Sequence, residues 1–376
     1  MQFWLACSSC GVKCAFDSLA WKCICGAPFD IVKDLSSTSL CFTKLTEREK
    51  NIWRYRDLLP LIKSECLVSL GEGFTPVLIR RMEGYEVILK LDFMNPTGSF
   101  KDRGASVMLS NLKALEVESI VIDSSGNAGA AVAAYSAAAG IRCKVYVPAN
   151  APSSKKLQIS LYGAELVEVE GARSLVREKA LAELGDAVYA SHMWNPYFIE
   201  GLKTLAYECF EQAGLPDAVV VPVGSGGLLL GMYGGFCELK KLGLIDNVPA
   251  IIAVQAAGYT PVYDVLHGPH GVEPPAEPFA DGIAIPNPPR LKQIIKAVQT
   301  SGGDAVVVED SMILEALSRL AKIGLFVEPT AATPLAALKN IKAEGIVDAG
   351  SRVYIPLTGS GLKAVDKIMN KIPVKR

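Results

Sequence analysis

A chain of 376 residues, half of them hydrophobic, is long enough for two domains and too apolar to be disordered. Its net charge of −1, from 38 basic and 39 acidic side chains, leaves no basic excess for nucleic acid or an anionic membrane as the main partner. No run of about 18 uncharged apolar residues suggests a membrane span. Met1-Gln-Phe-Trp-Leu-Ala-Cys7 lacks the basic start and apolar length of a secretion signal, so a cytoplasmic setting is expected.

Residues 1–40 stand apart. Cys7-Ser-Ser-Cys10 and Cys23-Ile-Cys25 are two close pairs on two turns, and four thiolates can complete a tetrahedral shell around zinc. Gly11 and Gly26 follow the pairs where knuckle turns need an unhindered backbone. The second pair is C-x-C, and Cys14 competes as a ligand. The alternative is a ribbon that has lost its metal. Four thiolates leave no open position, so any metal there is structural. Cys41, Cys66, Cys143, Cys209 and Cys237 read as small core hydrophobes.

Residues 41–80 read as a connector with one or two helices, holding the charged amphipathic stretch Thr46 to Tyr55 and a turn at Gly71 to Pro76. From Glu86 onward short β-branched runs alternate with helical ones. Strands are predicted at Glu86–Leu91, Ser119–Asp123, Arg142–Val147, Leu166–Val169 and Ala187–Ala190. Further ones fall at Ala218–Val223, Ala250–Gln255, Ala305–Glu309 and Arg352–Leu357. This alternation is an α/β architecture with parallel sheets. Continuous apolar runs such as Val219 to Val223 indicate strands buried on both faces. The stretch Gly268 to Arg290, rich in proline and glycine but interleaved with Phe279, Ile283 and Ile285, reads as a long ordered loop.

Ligands of open α/β folds bind outside the carboxyl ends of the strands. Four loops there have unusual chemistry. The first, Asn95-Pro-Thr-Gly-Ser-Phe-Lys101-Asp-Arg-Gly104, puts Lys101 at or just inside a helix start. The positive end of the helix dipole disfavours its ammonium form and favours the neutral, nucleophilic amine that Schiff-base chemistry needs. A solvated lysine is the alternative. The second, Asp123-Ser-Ser-Gly-Asn127, opens the alanine-rich helix Ala130 to Ala139. It suits either a carboxylate cradle or plain N-capping. The third, Gly224-Ser225-Gly226-Gly227, lies between a strand and a helix, where backbone N–H groups can cradle a phosphate. It is neither a Walker loop nor GxGxxG. The fourth, Thr358-Gly-Ser360-Gly, offers a hydroxyl to a ring nitrogen or caps a helix. An amine, a carboxylate cradle, a phosphate cradle and a hydroxyl for a heterocycle are what pyridoxal phosphate needs.

With these motifs the chain resembles the threonine synthases, pyridoxal-phosphate enzymes of fold type II, over nearly its whole length. The resemblance implies two α/β domains with parallel-rich sheets behind a zinc-ribbon-like segment. The ribbon would span 1–40, a large cofactor-binding domain 41–105 and 205–376, and a smaller domain 106–204. It implies that Lys101 forms the Schiff base, Ser124, Ser125 and Gly126 hold the substrate carboxylate, Asn127 lies beside the cofactor ring oxygen, and Thr358 faces the ring nitrogen. Asn195-Pro-Tyr-Phe-Ile-Glu200-Gly-Leu-Lys203-Thr204 is similar to a signature on the substrate side. The implied reaction converts O-phospho-L-homoserine and water to L-threonine and phosphate. It requires cations for the substrate phosphate: Lys155, Lys156 and Arg177 are candidates, with Asn195 as a neutral donor.

Two stretches depart from the pattern. Gly224-Ser-Gly-Gly227-Leu and Phe279-Ala-Asp281-Gly282-Ile283 look more like serine/threonine dehydratases. A dehydratase or a β-replacing sulfhydrylase of the same fold is therefore the rival enzyme reading. A non-catalytic protein binding nucleic acid or a partner through the ribbon is the other. A homodimer is expected by analogy of fold alone.

Overall fold

The computed structural model describes residues 2–36, 38, 42–151, 153–171 and 173–371. Cys41, read above as a core thiol, lies outside them. Three short strands open the chain, β1 (Phe3–Cys7), β2 (Lys13–Cys14) and β3 (Phe29–Lys33), followed by one helical turn, α1 (Phe42–Leu45). A hairpin, β4 (Val77–Met82) and β5 (Tyr85–Lys90), leads to α2 (Lys101–Ala114). Strands and helices then alternate: β6 (Ser119–Ile122), α3 (Asn127–Ala139), β7 (Arg142–Pro148), α4 (Ser153–Leu161), β8 (Glu165–Val169), α5 (Arg173–Ala182), β9 (Val188–Tyr189) and α6 (Pro196–Ala213). A second run comprises β10 (Ala218–Pro222), α7 (Gly227–Lys241), β11 (Ala250–Ala256), α8 (Pro261–His267) and α9 (Leu291–Thr300). It closes with β12 (Ala305–Val308), α10 (Asp310–Lys322), α11 (Pro329–Ala343), β13 (Arg352–Pro356) and α12 (Val365–Met369).

The chain forms two compact units, Met1–Phe74 with Asn95–Thr204, and Thr75–Met94 with Leu205–Arg376. In the first, β2-β1-β3 make a small antiparallel sheet and β8-β7-β6-β9 a parallel one. Val121, Tyr146, Val169, Val176 and Ala180 pack together beside that parallel sheet. Helices α2 and α6 cross closely at two glycines. A Cβ on Gly201 would lie 2.0 Å from the Arg103 carbonyl oxygen, and one on Gly104 would lie 2.4 Å from the Phe198 ring. No larger residue fits either position without parting the helices.

In the second unit six strands run β12-β11-β10-β13-β5-β4, all parallel except β4. Val219, Val220 and Val221 are fully buried, as their unbroken apolar run requires. The edge strand β4 went unread in the sequence because Val77-Leu-Ile-Arg-Arg-Met82 exposes its arginines and Ile79. Charge at a sheet edge discourages pairing with other chains, so this is what an edge strand needs. Phe279 and Ile283 are buried, so the stretch after Gly268 is an ordered loop as expected.

Candidate active site

Lys101 is the first residue of α2, at the helix start where the sequence put it. The turn before it is closed by the Gly98 N–H donating to the Asn95 carbonyl at 2.8 Å, with Gly98 at φ 82. The Asn95 side-chain oxygen accepts from Gly73 N at 2.8 Å. One residue past Lys101, the buried Asp102 carboxylate accepts from the Thr97 backbone N–H at 2.7 Å and from the Thr97 hydroxyl. A carboxylate in the first turn also suits the positive helix end. Lys101 is thus carried on a turn that its neighbours hold rigidly. Its Nζ lies 4.9 Å from the Phe100 ring centre and 5.8 Å from that of Phe198. Ser99, fully buried, keeps a hydroxyl without a hydrogen-bond partner two residues from Lys101. Sequence reasoning passed over it, since a serine in a turn carries no signal of its own.

The parallel sheet of the same unit gathers most of the expected substrate side chains at its carboxyl edge. Strand β6 lies between β7 and β9, so the loop Ser124-Ser125-Gly126-Asn127 is flanked by the segments that follow those strands. Gly126 is the residue before α3, which starts at Asn127. A Cβ on Gly129 would lie 1.9 Å from the Ser124 carbonyl oxygen, so the loop folds back onto its own helix. Lys155 is half-buried in α4. Lys156 turns away to Glu168 (2.9 Å) and the Ala149 carbonyl (2.9 Å), a pairing that accounts for its charge. Asn195 is buried and caps α6, its side-chain oxygen accepting from Tyr197 N at 3.0 Å. Arg177, on α5, lays its guanidinium 4.8 Å from the Trp194 ring centre. Its Nε is buried without a hydrogen-bond partner.

The second unit presents the other two loops at neighbouring strand ends, because β10 and β13 pair in parallel. Gly224, Gly226 and Gly227 are buried and Ser225 is half-buried, at the start of the 15-residue α7. Gly226 has φ 81, and a Cβ there would lie 2.1 Å from Ile294. Backbone N–H groups at such a start form an anion cradle. A Cβ on Gly224 would lie 2.7 Å from the Ile283 Cα, so the two stretches that depart from the synthase pattern pack on each other. They are one structural feature. After β13, Thr358 is 1% exposed and its Oγ1 has no hydrogen-bond partner. A buried orphan hydroxyl is costly without a ligand to receive it. The glycine cradle and this hydroxyl fit the phosphate and ring nitrogen of pyridoxal phosphate.

A family profile described as pyridoxal-phosphate dependent enzyme matches residues 68–359. The threonine synthase of Methanocaldococcus jannaschii is 36% identical over 378 residues, covering 96% of this chain and 93% of that protein. The chain belongs to the threonine synthase family of pyridoxal-phosphate enzymes. The threonine synthase of Methanosarcina acetivorans is 33% identical, covering 96% of this chain and 92% of its own. Among solved structures, maize serine racemase superposes with a TM-score of 0.66 at 26% identity, over 79% of this chain and 92% of that one. The fold is that of type II pyridoxal-phosphate enzymes, α/β with parallel-rich sheets.

In this threonine synthase family member the four ribbon cysteines also converge. The Sγ atoms of Cys7, Cys10, Cys23 and Cys25 lie within 4.8 Å of one another, and Cys14 is not among them. A thiolate tetrahedron around zinc at about 2.3 Å spaces its sulfurs by roughly 3.8 Å, so the donor set fits. Gly11 and Gly26 have φ 74 and 87, the left-handed knuckle turns expected of them. Burial works against the Cys7 thiolate. The Cys10 and Ser9 N–H groups, each 3.4 Å from the sulfur, and its thiol neighbours outweigh burial and bring the group down to about 6.

Proposed function

We propose that this chain makes L-threonine and phosphate from O-phospho-L-homoserine and water. Lys101, at the start of α2 in a turn tied by Asn95 and Asp102, is the observation that carries the reading. Pyridoxal 5′-phosphate would be held covalently by Lys101, at its phosphate by the backbone of Gly224, Ser225, Gly226 and Gly227, at its ring oxygen by Asn127, and at its ring nitrogen by Thr358. When bound, the cofactor supplies an electron sink for charge that develops on the substrate carbons.

The chain's own groups do the rest. Ser124, Ser125 and Gly126 bind the substrate carboxylate, with the N–H groups of the α3 start directed at it. The Lys101 Nζ takes and returns protons at the substrate carbons. The bond from the γ carbon to oxygen breaks, phosphate leaves with that electron pair, and the oxygen of water joins the β carbon. Arg177, Lys155 and Asn195 bind the phosphate before it departs. Thr358 is a neutral hydroxyl that would accompany the ring nitrogen without needing to protonate it, unlike a carboxylate partner.

Arg177→Ala therefore raises KM for O-phospho-L-homoserine roughly thirtyfold, the loss of about 2 kcal/mol of charge-assisted hydrogen bonding. Steady-state kinetics check this, and an unchanged KM removes Arg177 from the site. The reading itself is tested by comparing kcat/KM for O-phospho-L-homoserine with that for keto-acid formation from L-serine and L-threonine. A large preference for the phosphorylated substrate supports it. The reverse order would make the chain a dehydratase.

The same proposal gives a structural zinc ion to Cys7, Cys10, Cys23 and Cys25. One zinc per chain in the purified protein is the expected metal content, and its removal by a chelator lowers Tm by about 5 °C. Metal-free protein of unchanged Tm would contradict it. The nine described cysteines form no disulfide, which suits a reducing cytoplasm. No helix among the described residues is long and apolar enough to cross a membrane. A homodimer follows from analogy of fold.

A further inference from the structure

The ribbon is pinned to the start of α6 at three places. Tyr197 donates its hydroxyl to the Phe16 carbonyl at 2.5 Å and meets the Phe16 ring edge-on at 5.4 Å. Lys33, at the end of β3, pairs with Glu200 at 2.6 Å, both side chains buried. Between these, Trp21 meets Trp194 edge-to-face, with ring centres 5.2 Å apart and planes at 88°. Trp21 also packs against Tyr189 at 4.9 Å. Tyr189 is itself fixed, its hydroxyl donating to Asp123 at 2.7 Å, so it forms a wall that holds Trp21 in place.

The backbone of Trp21 is held as firmly as its ring. It stands two residues before Cys23, and the next residue, Lys22, bridges to Pro28 across the second cysteine turn. Beyond Trp194 stands the Arg177 guanidinium, over the indole ring. Among the described residues no carboxylate pairs with Arg177, and its Nε is unpartnered. An arginine supported by an aromatic face instead of an acid keeps its donors for an anion.

We propose that Trp21 is a positioning residue for substrate phosphate: it holds Trp194 edge-on, and Trp194 in turn orients Arg177. This rests on the assignment of Arg177 to the substrate phosphate made above. The cysteine ribbon thereby acts on the site through one indole ring, and the turn that carries Cys23 sets where that ring stands.

The test uses the cofactor-loaded full chain with Trp21→Ala, Trp21→Phe, Arg177→Ala and the alanine double variant. Trp21→Ala raises KM for O-phospho-L-homoserine about tenfold, a loss of the size expected for a disturbed cation–aromatic contact, with kcat within about twofold. Its affinity for inorganic phosphate, read by tryptophan fluorescence, falls by the same factor, and its affinity for L-threonine does not change. Trp21→Phe, which keeps an edge-on ring, restores most of the loss. In the Arg177→Ala background Trp21→Ala adds nothing, because it acts through that side chain. Trp21→Leu replaces the alanine variant if the latter does not fold. A wild-type KM in Trp21→Ala (or in Trp21→Leu where that replaces it), or an additive loss in the double variant, overturns the inference while an Arg177→Ala defect leaves the proposed function standing. A wild-type KM in Arg177→Ala overturns the inference and removes Arg177 from the site, and failure of the wild-type protein to use O-phospho-L-homoserine overturns both the inference and the proposed function.

Discussion

Lys101→Ala removes roughly a thousandfold or more of the turnover of O-phospho-L-homoserine, together with the visible absorbance of the lysine-bound cofactor. The physical reason is that the side chain supplies both the covalent anchor and the mobile proton. Nothing else at the start of α2 offers an amine: its neighbours are Phe100, Asp102 and Arg103. The variant folds. Alanine has the higher helix propensity, and the turn is held by Asn95 and Asp102 rather than by the lysine. A Tm within a few degrees of wild type, an absent visible band and lost turnover are expected together. Lys101→Arg fails in the same way, since a guanidinium is not deprotonated and cannot form the imine. Wild-type turnover in either variant contradicts the assignment.

Gly226→Ala is expected to weaken cofactor binding about a hundredfold. Two costs add at this position. The backbone at φ 81 disfavours any Cβ by about 1–2 kcal/mol. The new methyl must also displace Ile294, which is fully buried and 2.1 Å away, an overpacking cost of about 1–3 kcal/mol. Because Gly226 directly precedes the first turn of α7, the strain falls on the N–H groups assigned to the cofactor phosphate. Equilibrium dialysis of the cofactor against wild type and variant measures it. An unchanged affinity would mean that this loop is a packing turn and no cradle.

The contrast between Lys101 and Trp21 explains what was legible in the sequence. Lys101 lies in a local pattern: an apolar run, a proline–glycine turn and a helical run identify a strand, a loop and a helix start with no knowledge of the rest of the fold. The Gly224 and Thr358 loops were legible for the same reason, each following an unbroken apolar strand. Trp21, Trp194 and Ser99 carry no such local mark. The importance of Trp21 arises from a meeting of residues 21, 189 and 194, and that of Ser99 from a burial that only packing produces. Charge was a poor guide where an acid stood nearby in space. Lys156 reads like Lys155 in sequence, yet it pairs with Glu168, while Arg177 is left to an aromatic face. The edge strand β4 was hidden by the arginines that suit it to a sheet edge.

The two departures from the synthase pattern also change meaning in three dimensions. Gly224 and Ile283 are in contact, so a change in one loop requires accommodation by the other. They count as a single variation of the phosphate-loop packing and leave the first unit, with its substrate loops, untouched.

The most direct measurement is to run the reaction on O-phospho-L-homoserine in water carrying heavy oxygen and to locate the label by mass spectrometry. The account predicts L-threonine and phosphate in equal amounts, with the label in the hydroxyl of threonine and none in the phosphate. That result requires cleavage of the carbon–oxygen bond and addition of water at the β carbon. Labelled phosphate with homoserine as product, or a keto acid in place of threonine, would contradict it.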